Sequence, residues 1–248
     1  VELDGKSLLE WQCKALYGCG INEIYIITGY LSHEIERLGF KTIHNNKWAN
    51  SNMVASIKLA LDQIEGPLIF SYSDIVFYPD IVEKLLSEES SFAIAYDPNW
   101  LSLWQQRFEN PLSDAETFLI DSNRWITQIG KKSSLYSDIQ GQFMGLFKVG
   151  KKARIIIENF LNSNPELIIF ASYYKDKNDI KIFLKNESYL LENLDLDKVS
   201  THTFWNAFPF LKPKTLYLDD YSDYPNYKKS RAETFTCHNI LLAHKNVS

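Results

Sequence analysis

The sequence predicts an α/β fold, a Rossmann-like, mostly parallel mixed sheet with helices on both faces. Three observations lead there. Short apolar, β-branched runs alternate with helical patterns of 8–13 residues through the first half of the chain. Gly and Pro punctuate the junctions, as at Gly18-Cys19-Gly20 and Gly66-Pro67. The second half turns to closely spaced extended pieces, which suits a mixed sheet extended by antiparallel strands.

The elements follow in order. From Ser7 to Tyr17, Leu8, Leu9, Ala15 and Leu16, with Trp11, fall mostly on one helical face, and Gly18-Cys19-Gly20 ends the segment. Leu3-Asp4-Gly5-Lys6 reads as a turn entering that helix, with no strand before it. Glu23–Thr28 is a β-branched strand closing on Gly29. A short helix at Ser32–Arg37 leads to an extended stretch from Leu38 to His44. Asn52–Ile64 has helical spacing again. Leu68-Ile69-Phe70 opens a buried strand running to Asp74, Pro79–Leu86 is helical, and Ser91–Tyr96 is another apolar strand. Extended pieces at Thr117–Ile120, Trp125–Ile129 and Gln142–Val149 precede a helix at Lys151–Asn162. Asp195–Ala207 reads as helical, Thr215–Leu218 as a short strand, and Tyr221–Lys229 as a polar turn or helix. One domain, incomplete at its N-terminal end, is expected over residues 1–231, with 232–248 as an unassigned C-terminal tail.

Composition narrows the function classes. With 45% hydrophobic and 14% aromatic residues the chain has the material for a sizeable core, and no apolar run reaches the ~18 residues of a membrane span. A net charge of −5 without a basic run argues against nucleic-acid binding, which draws on clustered Lys and Arg. Cys13, Cys19 and Cys237 are an odd set with no C-x-x-C spacing, which suits thiols in a reducing, cytoplasmic setting. Cys237-His238 has no second pair at zinc spacing. The sequons at Asn186 and Asn246 are chance matches in an Asn- and Ser-rich chain. Val1 stands where a Met would open a protein, and an upstream piece is expected.

Four constellations bear on chemistry. Gly18-Cys19-Gly20 follows a helix, whereas a dinucleotide loop follows a strand, so a helix cap is expected. Ser73-Asp74 puts a carboxylate just beyond an apolar strand, where α/β sheets hold metals or phosphates; a helix cap would look the same. Asp219-Asp220 and Asp223 repeat the pattern at a later strand end, as a second ligand to a hard cation or as a solvated acidic turn. Trp100, Trp104, Arg107, Glu109, Asp114 and Glu116 crowd around Pro111, either as core or as aromatic faces and carboxylates for an ammonium group.

The collinear set of GKSLLEWQ (5–12), IITGY (26–30), Asn46-Lys47-Trp48 through Asn52 to Ser56, Ser73-Asp74-Ile75, the stretch from Trp104 to Glu116, Gly141–Leu146 and Leu218-Asp219-Asp220 resembles the sugar-phosphate nucleotidyltransferase superfamily. The branch is that of the phosphocholine cytidylyltransferases of bacterial cell-surface polysaccharide pathways. The resemblance implies the nucleotidyltransferase, or GT-A-like, form of the fold. It also implies cytidylyl transfer from CTP to a small phosphorylated or phosphonate acceptor, with Mg²⁺ as cofactor. Enzymes of this group begin with a strand and a Gly-rich loop that wraps the triphosphate, in residues that would precede Val1.

On this basis Asp74 and Asp219 are the expected catalytic metal ligands. The family's acid two positions earlier is Tyr217 here, so Asp220 stays beside Asp219 as an alternative. Gly29, Asn52, Ser56 and Ser73 are expected to bind nucleotide. Trp100, Trp104, Arg107, Asp114, Glu116, Gln142 and Gly145 are expected to bind the acceptor. No nucleic-acid or membrane partner is expected, and the chain admits a homodimer. A sugar 1-phosphate transferase using UTP or dTTP, or a domain that binds nucleotide without catalysis, are the alternatives.

Overall fold

A computed structural model describes residues 2–51, 53–163, 214–217 and 240–244 of the 248-residue chain. β1 (Glu2–Leu3) and β2 (Lys6–Ser7) form a tight hairpin where the sequence suggested only a turn. Asp4 and Gly5 both adopt positive φ at its tip, the Asp-Gly turn chemistry that such hairpins require. α1 (Leu8–Gly18) follows at once. The Ser7 hydroxyl accepts the Glu10 N–H at 3.2 Å, and the Glu10 carboxylate accepts the Ser7 N–H at 2.7 Å, closing a capping box. Gly20 takes a positive φ just past the helix, and its N–H bonds back to the Tyr17 carbonyl, so Gly18-Cys19-Gly20 is a helix cap.

The alternation then runs as the sequence suggests: β3 (Glu23–Thr28), α2 (Ser32–Glu36), β4 (Lys41–His44), α3 (Met53–Gln63), β5 (Leu68–Tyr72), α4 (Pro79–Ser87) and β6 (Phe92–Asp97). α5 (Trp100–Arg107), which the sequence reading left unassigned, precedes the hairpin β7 (Glu116–Ile120) and β8 (Ile126–Lys132). β9 (Gln142–Val149) and α6 (Lys151–Ser163) come next, then β10 (Lys214–Tyr217) and β11 (Ile240–His244). The expected elements at Asp195–Ala207 and Tyr221–Lys229 lie outside the described residues.

The main sheet has seven strands in the order β10-β6-β9-β5-β11-β3-β4. β3 and β4 pair in parallel, as do β6 and β10, while β9 runs antiparallel to both β5 and β6. β11 lies antiparallel between β3 and β5, with Leu241 opposite Ile26 on one side and Ser71 on the other. Part of the C-terminal stretch left unassigned from the sequence is therefore a central strand of this sheet.

Period-2 patterning splits the core between the two faces. On β6, Phe92, Ile94 and Tyr96 join Phe70, Phe147 and the apolar stripes of α3 and α6. Ala93 and Ala95 turn to the opposite face, with Ile69 and the inner sides of α1 and α4. Phe70 and Phe147 stack at 5.0 Å between centroids at the centre of the first cluster. Each such fully buried aliphatic or aromatic side chain contributes roughly 1.5–3 kcal/mol. Arg154 closes the far end of α3 by donating to the carbonyls of Leu61, Ile64 and Gly66.

Cys13 is buried under α1, and that burial, followed by the nearby Glu10 charge, pushes its thiol up to about 11. At pH 8 only about one thiol in a thousand is then ionised, and the thiolate is the reactive form. Iodoacetamide at pH 8 should leave Cys13 unlabelled in the native chain and label it fully in denaturant, as read by peptide mass mapping. Native labelling at the rate of a free cysteine would contradict the buried placement.

Candidate functional site

Parallel strands β5, β6 and β10 present their carboxyl ends on one edge, and antiparallel β9 begins there, with Gln142 paired to Asp97. Open α/β sheets bind ligands at such an edge. Asp74 stands exposed in the turn two residues beyond β5, and Ser73 beside it is half-buried. The segment is fastened from behind by Gln12, a fully buried residue on α1. Its amide donates to the carbonyls of Tyr72 (2.9 Å) and Ile75 (2.6 Å), and its oxygen accepts the Ser71 hydroxyl at 3.1 Å. Sequence reasoning passed over Gln12. The available signal was one amide on the helix face that carries Cys13, Ala15 and Leu16.

Across the edge, the β7–β8 hairpin leans over the start of β9 and encloses a cavity of about 200 Å³. Its walls are Tyr72, Glu116, Thr117, Phe118, Ile129, Gln142 and Phe143. Gln142 ties the hairpin to the sheet. Its amide nitrogen donates to the Glu116 carbonyl at 2.7 Å and to the Gly141 carbonyl at 2.9 Å, while its oxygen accepts the Glu116 N–H at 3.4 Å. Of the acceptor residues expected from sequence, Glu116 and Gln142 thus meet at one cavity, with the Gln142 amide engaged in holding its wall.

Tyr72 was not anticipated. Its ring lies edge-on to Phe143 at 5.7 Å, and a Cβ on Gly145 would come within 2.8 Å of it. Gly145, at φ +78°, therefore makes room for the Tyr72 ring, and it is not among the residues that line the cavity. Burial above all, then the charges of Asp74 and Glu116, push the Tyr72 phenol far upward, so at neutral pH it is a protonated donor. Asp97, also unread in the sequence, is buried at the end of β6. Burial raises its pKa, and the Asn99 N–H at 2.7 Å offsets part of that rise.

The tryptophan cluster is organised differently from an ammonium cage. Trp100 is 3% exposed, and its indole N–H donates to the Ile139 carbonyl at 3.1 Å, which makes it core. Trp104 meets it edge-on and donates its own N–H to Asp114 at 3.0 Å. Arg107 lies over the Trp104 ring at 5.4 Å, so the cation on that aromatic face is the protein's own. Trp100, Trp104, Arg107 and Asp114 accordingly build the scaffold beside the cavity and do not line it.

The nucleotide candidates also separate. Gly29 is buried where a Cβ would fall 2.5 Å from the Trp48 Cβ, so its smallness serves the packing of Trp48. Ser56 is 1% exposed within α3, and its hydroxyl has no partner among the described residues. Asn52, Asp219 and Asp220 lie outside the described residues. Among the described residues no three His, Cys, Asp or Glu side chains come together as a metal site, and no helix is long and apolar enough to cross a membrane. Mg²⁺ commonly takes one or two protein carboxylates and completes its shell with substrate phosphates and water, so the exposed Asp74 fits such an ion.

Residues 1–121 match the family model of the MobA-like NTP transferase domain. The chain is 37% identical over 159 residues to the CTP:phosphoglutamine cytidylyltransferase of Campylobacter jejuni, covering 60% of this chain and 62% of that protein. It is 30% identical over 81 residues to the choline-phosphate cytidylyltransferase of Streptococcus pneumoniae, covering 31% of this chain and 35% of that one. The chain thus spans less than two thirds of the length of these curated relatives. Among solved structures, the inositol-1-phosphate CTP transferase from T. maritima superposes with a TM-score of 0.52 at 17% identity, over 88% of this chain and 75% of that one, a likeness of fold.

Proposed function

We propose that the chain is a nucleotidyltransferase of the cytidylyltransferase branch that transfers a cytidylyl group from CTP to a small phosphorylated or phosphonate acceptor; its likeness to the MobA-like domain and to a CTP-using relative supports this reading. The observation that carries this reading is the carboxylate of Asp74, exposed at the carboxyl edge of the sheet two residues past Tyr72, which lines a cavity together with Glu116. An oxygen of the acceptor attacks the α-phosphorus of CTP, the bond from that phosphorus to the β-phosphate oxygen breaks, and pyrophosphate leaves. The acceptor oxygen is already ionised at neutral pH, so no general base is required, and catalysis rests on alignment and on neutralising charge.

Asp74 and Asp219 would hold Mg²⁺, which supplies that neutralisation at the phosphates. Supporting the pairing, β5 and β10 run in the same direction, and in the sequence Asp74 and Asp219 each stand two positions past the last residue of their strand. Ser73 lies next to the nucleotide phosphates in this reading, and Asn52 and Ser56 remain candidates for the base and ribose side. The reaction calls for a cytoplasm stocked with CTP.

For the acceptor, Glu116 among the rings of Tyr72, Phe118 and Phe143 favours a head group carrying an ammonium: phosphocholine-like, aminoethylphosphonate or an amino-acid phosphate. Glu116→Gln should raise the acceptor KM about ten- to a hundredfold, the worth of one hydrogen bond to a charged group, and leave the KM for CTP unchanged. An unaltered acceptor KM would remove Glu116 from the site.

The functional test is pyrophosphate release from CTP and Mg²⁺ with a panel of phosphocholine, aminoethylphosphonate, amino-acid phosphates and sugar 1-phosphates. The protein should carry any residues its gene encodes upstream of Val1. Release confined to ammonium-bearing acceptors supports the reading. Preference for a sugar 1-phosphate, or for UTP or dTTP, would redirect it, and no release with any pair would reject transfer.

A further inference from the structure

We propose that Tyr72 binds the acceptor's phosphate, its hydroxyl donating a hydrogen bond to a phosphate oxygen within the cavity that it lines together with Glu116. This rests on the cytidylyl-transfer reading for the chemical class of the ligand, and on the geometry of the cavity for the residue.

Tyr72 is the last residue of β5, two positions before Asp74, and it lines the same cavity as Glu116. It therefore stands between the two ends of the proposed reaction, the carboxylate assigned to the metal and the carboxylate assigned to the ammonium. Its ring is held on two sides, by the space that Gly145 leaves and by the edge-on contact with Phe143. The carbonyl of the same residue is pinned by Gln12 at 2.9 Å. Both backbone and ring are thus set before any ligand arrives.

The hydroxyl, in contrast, has no hydrogen-bond partner among the described residues, although its charged neighbours are Asp74 and Glu116. A half-buried phenol donor with no protein partner among the described residues, on the wall of a cavity, is open to an acceptor atom of a ligand in place of water. Glu116 in the same cavity disfavours a bare anion there. A zwitterion answers the charges: its ammonium end meets Glu116 and its phosphate end lies toward Asp74. The uncharged phenol then supplies a donor to the phosphate without adding charge to a site already set by the two carboxylates.

The experiment compares phosphoethanolamine with ethanolamine, which keeps the ammonium and lacks the phosphate. Each is titrated by NMR, in Mg²⁺, against the wild-type chain, Tyr72→Phe and Glu116→Gln. Tyr72→Phe should weaken phosphoethanolamine about ten- to a hundredfold and leave ethanolamine unchanged, whereas Glu116→Gln should weaken both. The phenyl ring is retained, so Tm and the KM for CTP should match the wild type.

Equal affinity of Tyr72→Phe and wild type for phosphoethanolamine would overturn the assignment. So would equal loss for both probes, a lowered Tm with a parallel rise in the KM for CTP, or a wild-type chain that binds neither probe. A wild-type chain that binds phosphoethanolamine through Tyr72 and releases no pyrophosphate with any acceptor would defeat the transferase reading and leave this one standing.

Discussion

Asp74→Asn should lower kcat/KM for pyrophosphate release by roughly 10²–10³-fold, the scale on which a single group stabilising transition-state charge acts. It should do so without touching stability. The side chain is exposed in the turn after β5, and substitutions at such positions usually stay within about 0.5 kcal/mol. The decisive result is the pair of measurements, a lost rate with an unmoved Tm. A variant that turns over at the wild-type rate would show that the carboxylate is a surface acid next to the site. A variant that loses rate and Tm together would mark a structural role, contrary to the exposure of the group.

Leu242→Pro should have the opposite profile, a large loss of stability from a residue far from the proposed chemistry in sequence. Residue 242 sits mid-strand in β11, opposite Tyr25 on β3 and Phe70 on β5. A central strand bonds on both sides, and proline removes one ladder donor and cannot follow the pleat there. A cost of about 3 kcal/mol is expected. At roughly 2–4 °C per kcal/mol for a chain of this size, that lowers Tm by about 6–12 °C in a thermal melt. Leu242→Val, which keeps the N–H and favours strands, should melt near the wild type. A proline variant with unchanged Tm would mean that β11 contributes little to the sheet in solution.

Much of the fold was legible because its signals are local. Glu23–Thr28 and Gln142–Val149 were bounded correctly by apolar runs between turn residues, and Gly66-Pro67 marked the gap between α3 and β5. What escaped depends on distant partners. The run from Ile240 to His244 looks like any short apolar stretch until β3 and β5 are brought to either side of it. α5 was hidden by its own composition, since Trp100 and Trp104 drew attention as ligand candidates before their spacing was read as helical.

The site divides in the same way. Asp74 stood out as a candidate because an acid beyond an apolar strand is an anomaly in the sequence itself. Residue type could not tell that Trp104 already has Asp114 on its N–H and Arg107 on its face. Nor could it tell that Gly145 is small for the sake of Tyr72. Those facts belong to pairs of residues, and each member alone carries no mark of its partner.

The position of β11 also sets an order of assembly. Before Ile240–His244 takes its place, β3 with β4 and the group β5, β9, β6 and β10 are separate blocks, each with an unpaired edge and apolar faces. Among the described residues, both blocks precede in sequence the strand that joins them, so β3 and β5 wait for a partner from far along the chain. Pairing over so long a stretch of chain is slow, and edges left open meanwhile are sites of misassociation. Refolding in vitro should therefore show a late step in which the two blocks become one sheet.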